Sequence, residues 1–370
     1  MIYLQDILLI SAFLVPLLLS ATILVRSKEN LQRRVMGLAL LNAFFAFFAN
    51  YFYFKKLLDI YILLHSLHIA SVLWLFPSIY LYVKSIVLEQ REFKKELIHL
   101  LPGVLFGVVS AILFYGLLSQ PDRIYYLSFY RTGIEFSSFR LKLIYFFRML
   151  DVFVIVVQVV YYSAAMIKIP AKYHKALKEE YSNIGQFSIS WIKWFNGALV
   201  LVGLLSILFY VFNPFDAAND LFLVFFLFTI SLFMWILGLW SFVQKKPEVQ
   251  VQYSVPLIQK PRLAVADNEK LLTEALLNYF EKEKPFLSPD LNLTSVCKHI
   301  GTNRTYLSNL INNKFEMNFN SFVNQYRVAY AYEQLKANPG ASNEVLAYSS
   351  GFGSISSFKR ALKNERGTKT

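Results

Sequence analysis

Seven apolar stretches, each long enough to cross a lipid bilayer as a helix, constrain this chain more than any other feature. A spanning helix needs about 20 mostly apolar residues, because the hydrocarbon layer is about 30 Å thick. The stretches are approximately Leu4–Val25, Val35–Phe54, Leu57–Val83, Ile98–Ser119, Leu143–Ile167, Trp191–Phe212 and Asp220–Val243. Only 16% of the residues are charged, whereas globular proteins average about 25%. We therefore predict an all-α fold in which residues 1–244 form a seven-helix transmembrane bundle within the lipid bilayer.

Lysine and arginine are unevenly distributed among the connections between these stretches. If the N-terminus lies outside, the inner connections and the segment after the last stretch hold 14 of them, and the outer connections hold 6. Inner loops of membrane proteins carry an excess of Lys and Arg. The counts therefore predict an N-terminus outside and a C-terminal third in the cytoplasm.

Four ionisable residues lie at membrane depth, where such groups cost a few kcal/mol unless they are paired or hydrated. Arg148 and Asp151 are three residues apart, as are His65 and His68, and this spacing places two side chains on one helix face. One interpretation is a signal or proton site inside the bundle. The other is an internal salt bridge and two histidines satisfied by hydrogen bonds. No third ligand accompanies the histidines, so we predict no metal site.

The last third of the chain lacks the long apolar stretches of the first two thirds. Residues 245–267 contain Pro247, Pro256 and Pro261 without helical periodicity, which predicts an extended linker. Residues 268–370 have helical apolar patterns and form the predicted second domain, beginning with an amphipathic helix at Asn268–Lys284. Residues 245–370 hold 17 Lys and Arg against 11 Asp and Glu, and so carry +6 of the total charge of +13. This excess favours an anionic partner.

Two units of similar pattern occur within residues 268–370. In the first, a short helix at Thr294–Ile300 is followed by a glycine turn and a second helix that Asn303 caps. In the second, Glu344–Ser349 is followed by Gly351 and a helix that Ser354 caps. A helix, a tight turn and a capped second helix form the helix-turn-helix motif, which places its second helix in the major groove of double-stranded DNA.

The apolar residues of these units predict which faces are buried. The predicted inward residues include Tyr306, Leu307, Leu310 and Ile311 in the first unit, and Ile355, Phe358 and Leu362 in the second. The short helix at Glu344–Ser349 carries the apolar residues Val345, Leu346 and Ala347. The opposite faces of the two capped helices are basic or rich in small polar side chains, which bind base edges and phosphates. The predicted DNA-binding residues are Arg304, Thr305, Ser308, Asn309, Asn312, Ser356, Ser357, Lys359, Arg360 and Lys363.

Four stretches of this region match a known pattern. They are Leu293-Thr294-Ser295-Val296, Gly301-Thr302-Asn303-Arg304-Thr305-Tyr306-Leu307, Tyr326-Arg327-Val328-Ala329 and Gly351-Phe352-Gly353-Ser354-Ile355-Ser356-Ser357-Phe358-Lys359-Arg360. The last hundred or so residues thus resemble the DNA-binding domain of the AraC/XylS family of bacterial transcription regulators. The resemblance implies two recognition helices in adjacent major grooves, with bases facing Thr305, Ser308 and Asn309 in the first helix and Ser356, Ser357 and Arg360 in the second.

The sequence departs from that family at two positions of this domain. Glu316 stands where the family usually has glycine, which predicts a strained or differently shaped turn. Cys297, the only cysteine, replaces a usual alanine and is predicted to be buried and inert. The resemblance covers less than a third of the chain and does not extend to the apolar stretches.

No catalytic motif and no cofactor-binding motif is present, so we predict that the protein is not an enzyme. The leading hypothesis is a transcription regulator embedded in the bacterial inner membrane, whose bundle senses an unknown signal. RNA polymerase and a second copy of the chain are further partners to consider. The alternatives are a transporter or other membrane bundle with a regulatory or protein-binding tail, and a bundle that only anchors the regulator.

Overall fold

A computed structural model describes residues 2–27, 30–87, 90–129, 138–211, 220–243 and 266–367. The described residues are almost entirely helical, and within them no strand forms beyond an isolated bridge between Tyr181 and Asn292. The all-α prediction is therefore confirmed. Most of the predicted linker, residues 245–265, lies outside the described residues.

Among the residues that the structure describes, nine helices precede the linker. Their bounds are α1 Ile2–Val25, α2 Leu31–Phe54, α3 Leu58–Val87, α4 Gln90–Glu96, α5 Leu101–Leu117, α6 Gln120–Phe129, α7 Phe139–Glu180, α8 Trp191–Val211 and α9 Asp220–Val243, with short 3-10 turns at Leu97–Leu100 and Gly185–Phe187. Among the described residues, five helical segments are long and apolar enough to cross a membrane, and α8 and α9 add the shorter apolar stretches Trp191–Leu205 and Phe228–Trp240. All seven predicted stretches fall on these segments, while a count of seven spans stays a prediction.

The chain divides into two compact units. The first comprises residues 1–168 and 190–244, and the second comprises residues 169–189 and 245–370. Helix α7 is 42 residues long and contributes to both, since Lys168 is the last of its residues in the first unit. We call them the apolar unit and the C-terminal unit.

The apolar unit is a bundle of helices with small residues at its contacts and large apolar side chains on its surface. Small side chains on α2, including Ala39, Ala43 and Ala46, are buried where this helix contacts its neighbours, and small residues allow helices to approach closely. Large apolar side chains point outward, with Leu63 77% exposed and Trp194 86% exposed. Large exposed apolar patches are unfavourable in water and mark membrane, protein or ligand contacts.

The described part of the C-terminal unit after the linker contains six helices. They are α10 Ala266–Glu283, α11 Leu293–Ile300, α12 Arg304–Lys314, α13 Phe319–Ala337, α14 Asn343–Ser349 and α15 Ile355–Gly367, with a 3-10 turn at Pro285–Leu287. Helix α13 packs against two separate cores: Phe322 and Val323 join the core of α10–α12, and Val328 and Ala331 join the core of α14 and α15. The two helix-turn-helix units are thus built on one shared helix.

Glu316 has a left-handed backbone between α12 and α13, with φ 54°. A side chain in this conformation costs about 1–2 kcal/mol, whereas glycine adopts it freely and loses about 0.5–1 kcal/mol of chain entropy on folding. The predicted strain at this turn is therefore confirmed.

Replacing Glu316 with glycine should raise the free energy of unfolding of the C-terminal unit by about 0.5–1 kcal/mol, because the strain is relieved. Urea-dependent proteolysis of this unit, with the full chain held in lipid nanodiscs, measures the change. Glu316→Ala is the control, because it removes the same charge but keeps Cβ. Equal stabilisation by both variants would show that the charge, and not the backbone, is responsible.

Candidate nucleic-acid interface

The first candidate recognition helix, α12, follows a tight turn. Gly301 ends α11 in the left-handed conformation with φ 71°. The side chain of Asn303 then accepts a hydrogen bond from the backbone N–H of Tyr306 at 3.0 Å and starts α12. Leu307, Leu310 and Ile311 are buried in the core and so fix which face of α12 points outward.

That outward face differs in part from the one predicted. Thr305 and Asn309 are exposed, while Ser308 is only partly exposed. Tyr306 was predicted to face inward, and this is wrong because its side chain is 54% exposed. Its neighbour Leu307 fills the core instead, and Tyr306 adds an aromatic ring beside Thr305 that the apolar pattern could not assign to the surface.

The remaining two predicted residues of α12 bind carboxylates of the same unit. Arg304 forms an ion pair with Glu180 at 2.6 Å, and Asn312 donates a hydrogen bond from Nδ2 to Glu179 Oε2 at 3.2 Å. Both carboxylates lie at the end of α7, far from α12 in sequence. No local pattern signals this contact.

The second candidate recognition helix, α15, presents three exposed basic side chains. Phe358 and Ala361 are buried against α13 and α14. The residues predicted to bind DNA that are exposed here are Ser356, Lys359, Arg360 and Lys363. A row of exposed basic side chains on one helix is typical of a surface that binds nucleic acid.

Ser357, predicted to bind DNA, also takes part in capping α15. Its backbone N–H donates to Ser354 Oγ at 3.2 Å, and the two hydroxyl oxygens lie 2.9 Å apart. Ser354 is therefore the N-cap that was predicted, and Ser357 takes part in the capping network. Of the apolar residues of α14, Leu346 and Ala347 fill the core, while Val345 is 58% exposed.

Arg327 on α13 connects the parts of the C-terminal unit, a role that the sequence did not reveal. Its side chain is fully buried. It donates hydrogen bonds to the carbonyl oxygens of Phe286 and Ser288, both at 2.7 Å, and to the carbonyl and hydroxyl oxygens of Ser182 at 3.1 and 3.0 Å. The guanidinium also lies 5.6 Å from the ring of Phe352. Burial lowers the pKa of Arg327 to about 10, so the group is still charged at neutral pH.

Polar residues also cluster in the apolar unit. Arg148 pairs with Asp151, which is buried. His68 shares a hydrogen bond with the hydroxyl of Tyr61 at 2.9 Å, and His65 stacks on Phe114 with ring centroids 3.9 Å apart. These contacts fit the interpretation of a salt bridge and satisfied histidines. In the part of the chain that the structure describes, no three His, Cys, Asp or Glu side chains converge on a metal-sized site.

Two cavities adjoin this cluster in the apolar unit. His65, Ser110, Arg148 and Asp151 line a cavity of about 20 Å³, enough for one water molecule. A larger cavity of about 180 Å³ is lined by Asn50, His68, Arg148 and otherwise apolar side chains. The larger one has the mixture of apolar walls and few polar groups that is typical of small-molecule sites.

Comparison with known proteins agrees with the geometry of α11–α15. No curated protein and no solved structure matches the chain. A family model described as a helix-turn-helix domain matches residues 296–369, a range that begins in α11 and includes both candidate recognition helices. The match and the geometry together support a helix-turn-helix DNA-binding domain of the AraC type in this part of the chain.

Proposed function

We propose that this protein is a membrane-embedded transcription regulator that reads a specific DNA sequence with α12 and α15 and senses a signal with its apolar unit. The observation that carries the proposal is the construction of the C-terminal unit. Two helix-turn-helix units share α13, and each presents one capped helix with exposed polar or basic side chains. Such a pair can enter adjacent major grooves about one helical turn apart.

The side chains on these helices suit different parts of a DNA site. Arg360 is long, exposed and charged, and arginine forms bidentate hydrogen bonds with guanine. Thr305 and Asn309 are short and uncharged, and are suited to base edges at close range. Lys359 and Lys363 are suited to phosphates, which set the register of the protein on the duplex.

The apolar unit supports a location in a membrane. Its exposed surface carries many large apolar side chains, which a lipid bilayer would cover. With seven spans and the charge distribution of the connections, the N-terminus lies outside and the C-terminal unit lies in the cytoplasm. The AraC-type domain favours a bacterial inner membrane, and RNA polymerase and a second copy of the chain are the partners to test first.

The larger cavity of the apolar unit supports a sensory role. A ligand that binds one of two bundle conformations more tightly shifts the population toward it. The cavity and the Arg148–Asp151 pair are equally suited to a transporter, which is the second candidate function. Replacing the apolar unit with an unrelated seven-span anchor distinguishes the candidates: a regulator that still responds to its signal after the exchange does not sense with this unit.

Selection of bound duplexes from a random DNA pool, with the full chain in lipid nanodiscs, tests the proposed DNA recognition. We expect enrichment of one site with two conserved blocks separated by about one helical turn. Binding that shows no enrichment and disappears at moderate salt would contradict sequence-specific recognition, because nonspecific binding depends almost wholly on phosphate contacts.

Arg360→Ala should weaken binding to the selected site by about 1–3 kcal/mol and relax the base preference at one position, because a bidentate contact with a base edge is lost. Competition binding at fixed salt, with the full chain in nanodiscs, measures both effects. Lys336→Ala is the matched control, since Lys336 is an exposed basic residue at the end of α13. Equal effects of the two substitutions would mean that Arg360 contributes only charge.

A further inference from the structure

Residues 179–183, at and just after the end of α7, pack against the helix-turn-helix units within the C-terminal unit. We call them the docking segment. Its backbone is fixed next to the start of α11: Tyr181 forms an isolated bridge with Asn292, and the N–H of Ser182 donates to the carbonyl of Leu291 at 3.1 Å. Asn320 on α13 donates from its side chain to the carbonyl of Ser182 at 2.7 Å.

Glu180 is the centre of this contact, and its side chain is fully buried. One carboxylate oxygen, Oε1, accepts hydrogen bonds from the backbone N–H and the hydroxyl of Thr294 at 3.3 and 2.7 Å. The other oxygen, Oε2, lies 2.6 Å from Nη2 of Arg304. A buried carboxylate is stable only when such partners compensate for its lost hydration.

The groups around Glu180 are those with which proteins bind phosphate. Thr294 lies in the first turn of α11, after the cap residue Asn292, and N–H groups in a first helical turn attract anions. A hydroxyl and a guanidinium complete a set that commonly contacts the DNA backbone. Arg304 also belongs to the predicted DNA-binding face of α12. The carboxylate of Glu180 therefore occupies a place suited to an oxygen pair of a DNA phosphate.

The docking segment reaches the second helix-turn-helix unit as well. The side chain of Asn183 lies directly against Gly353, where an added Cβ would overlap it. Gly353 immediately precedes Ser354, the cap of α15. On α12, Asn312 is bound to Glu179. The segment thus covers one edge of the first recognition helix and the approach to the second.

We propose that the docking segment is an intramolecular competitor of DNA, which holds the helix-turn-helix units in a weakly binding state until it is displaced. The competition rests on the DNA-binding function proposed above. Because the segment includes the end of α7, which begins in the apolar unit, a rearrangement of that helix can withdraw Glu180 and free Arg304 and Thr294 for a phosphate.

Neutralising the carboxylate tests the competition. We expect Glu180→Gln to bind the selected DNA site about tenfold more tightly than the parent chain in nanodiscs, within the range of about 5- to 150-fold that is typical of coupling between sites. Glu333→Gln is the matched control, because it removes the same charge from an exposed position on α13. An affinity unchanged by Glu180→Gln, or raised equally by Glu333→Gln, would overturn the proposal.

If Glu180 competes with DNA for Arg304, the gain in DNA affinity from Glu180→Gln must depend on Arg304. In an Arg304→Gln background, we expect Glu180→Gln to change DNA affinity by less than about twofold, since no cation remains to be released. A full tenfold gain in that background would contradict competition for Arg304.

A reversible cross-link tests the same idea without removing Glu180. Asn183→Cys combined with Gly353→Cys places two thiols together, while Cys297 is buried and its pKa is raised by burial to about 11, so its thiol stays unreactive. We expect DNA binding to be at least about tenfold weaker when this pair is oxidised than when it is reduced. Equal binding in both states would overturn the proposal.

The outcomes separate the competition from the underlying function. Selective DNA binding by the parent chain that neither variant alters contradicts the competition alone. Absence of selective binding in the parent chain, in Glu180→Gln and in the reduced double-cysteine variant contradicts the DNA-binding function, and the competition with it.

Discussion

Arg327→Met is expected to lower the free energy of unfolding of the C-terminal unit by about 3–5 kcal/mol, because several buried acceptors lose their donors at once. Methionine fills a similar space but donates no hydrogen bond. The carbonyl oxygens of Phe286, Ser288 and Ser182, which Arg327 now binds, would lose these donors, and a buried acceptor without a donor costs about 1–3 kcal/mol.

Urea-dependent proteolysis of the C-terminal unit, in the full chain held in nanodiscs, measures this loss. Arg360→Met is the matched control, because Arg360 is exposed on α15 and exposed substitutions usually change stability by less than about 0.5 kcal/mol. Arg327→Lys should also destabilise the unit, since an ammonium group cannot reproduce the planar fork of a guanidinium. A loss below about 1 kcal/mol for Arg327→Met would show that water replaces the arginine at little cost.

Gly351→Ala is expected to cost about 2–4 kcal/mol, because two separate penalties add. The backbone of Gly351 is left-handed with φ 82°, a conformation that costs other residues about 1–2 kcal/mol. A Cβ at this position would also meet the carbonyl oxygens of Phe286 and Leu287, the latter at 2.7 Å. Backbone atoms cannot swing aside as a side chain can, so the contact adds strain.

Two other glycines of the C-terminal unit separate these penalties. Gly301 is left-handed with φ 71° but has open space where a Cβ would lie, so Gly301→Ala should cost only the conformational part, about 1–2 kcal/mol. Neither penalty applies at Gly340, because the atom nearest to an added Cβ would be 3.7 Å away from it. Gly340→Ala should leave stability within about 0.5 kcal/mol. The same proteolysis assay ranks all three, and equal losses at Gly351 and Gly301 would contradict the steric part.

Arg327 and Gly351 bear on the proposed function because both contact the same turn and so help to fix the relation between the two candidate recognition helices. Arg327, on α13, donates a hydrogen bond to the carbonyl oxygen of Phe286. Gly351, between α14 and α15, packs against the same carbonyl oxygen, which lies in the turn before α11. The spacing of α12 and α15 determines which two stretches of a DNA duplex can be read together. A variant that folds but loosens these contacts should therefore tolerate altered spacing between the two DNA blocks.

Local patterns predicted the features that depend on local physics. The apolar stretches indicated the positions of the long helices, because an uninterrupted apolar run of about 20 residues is typical of a helix and too long for a strand. The caps at Asn303 and Ser354 and the turns at Gly301 and Gly351 followed from side chains that bond their own backbone or allow a left-handed φ. Glu316 was recognised as strained for the same reason.

Side-chain placement at the edge of a core was less predictable. Tyr306 and Val345 both belong to apolar patterns, yet both are exposed because a neighbouring residue fills the available volume. Periodicity indicates which residues are near a core, but packing against the other helices decides which of them enter it.

The sequence by itself determined that this protein combines long apolar helices with a basic domain of two helix-turn-helix units, since periodicity, caps and turns act within a few residues. Only the tertiary structure decided what Arg327 and Glu180 do. Arg327 bonds residues 39 to 145 positions away, and Glu180 binds Thr294 across 114. Whether such groups meet depends on the packing of whole helices, and a buried charge becomes stable only where that packing brings its partners to it.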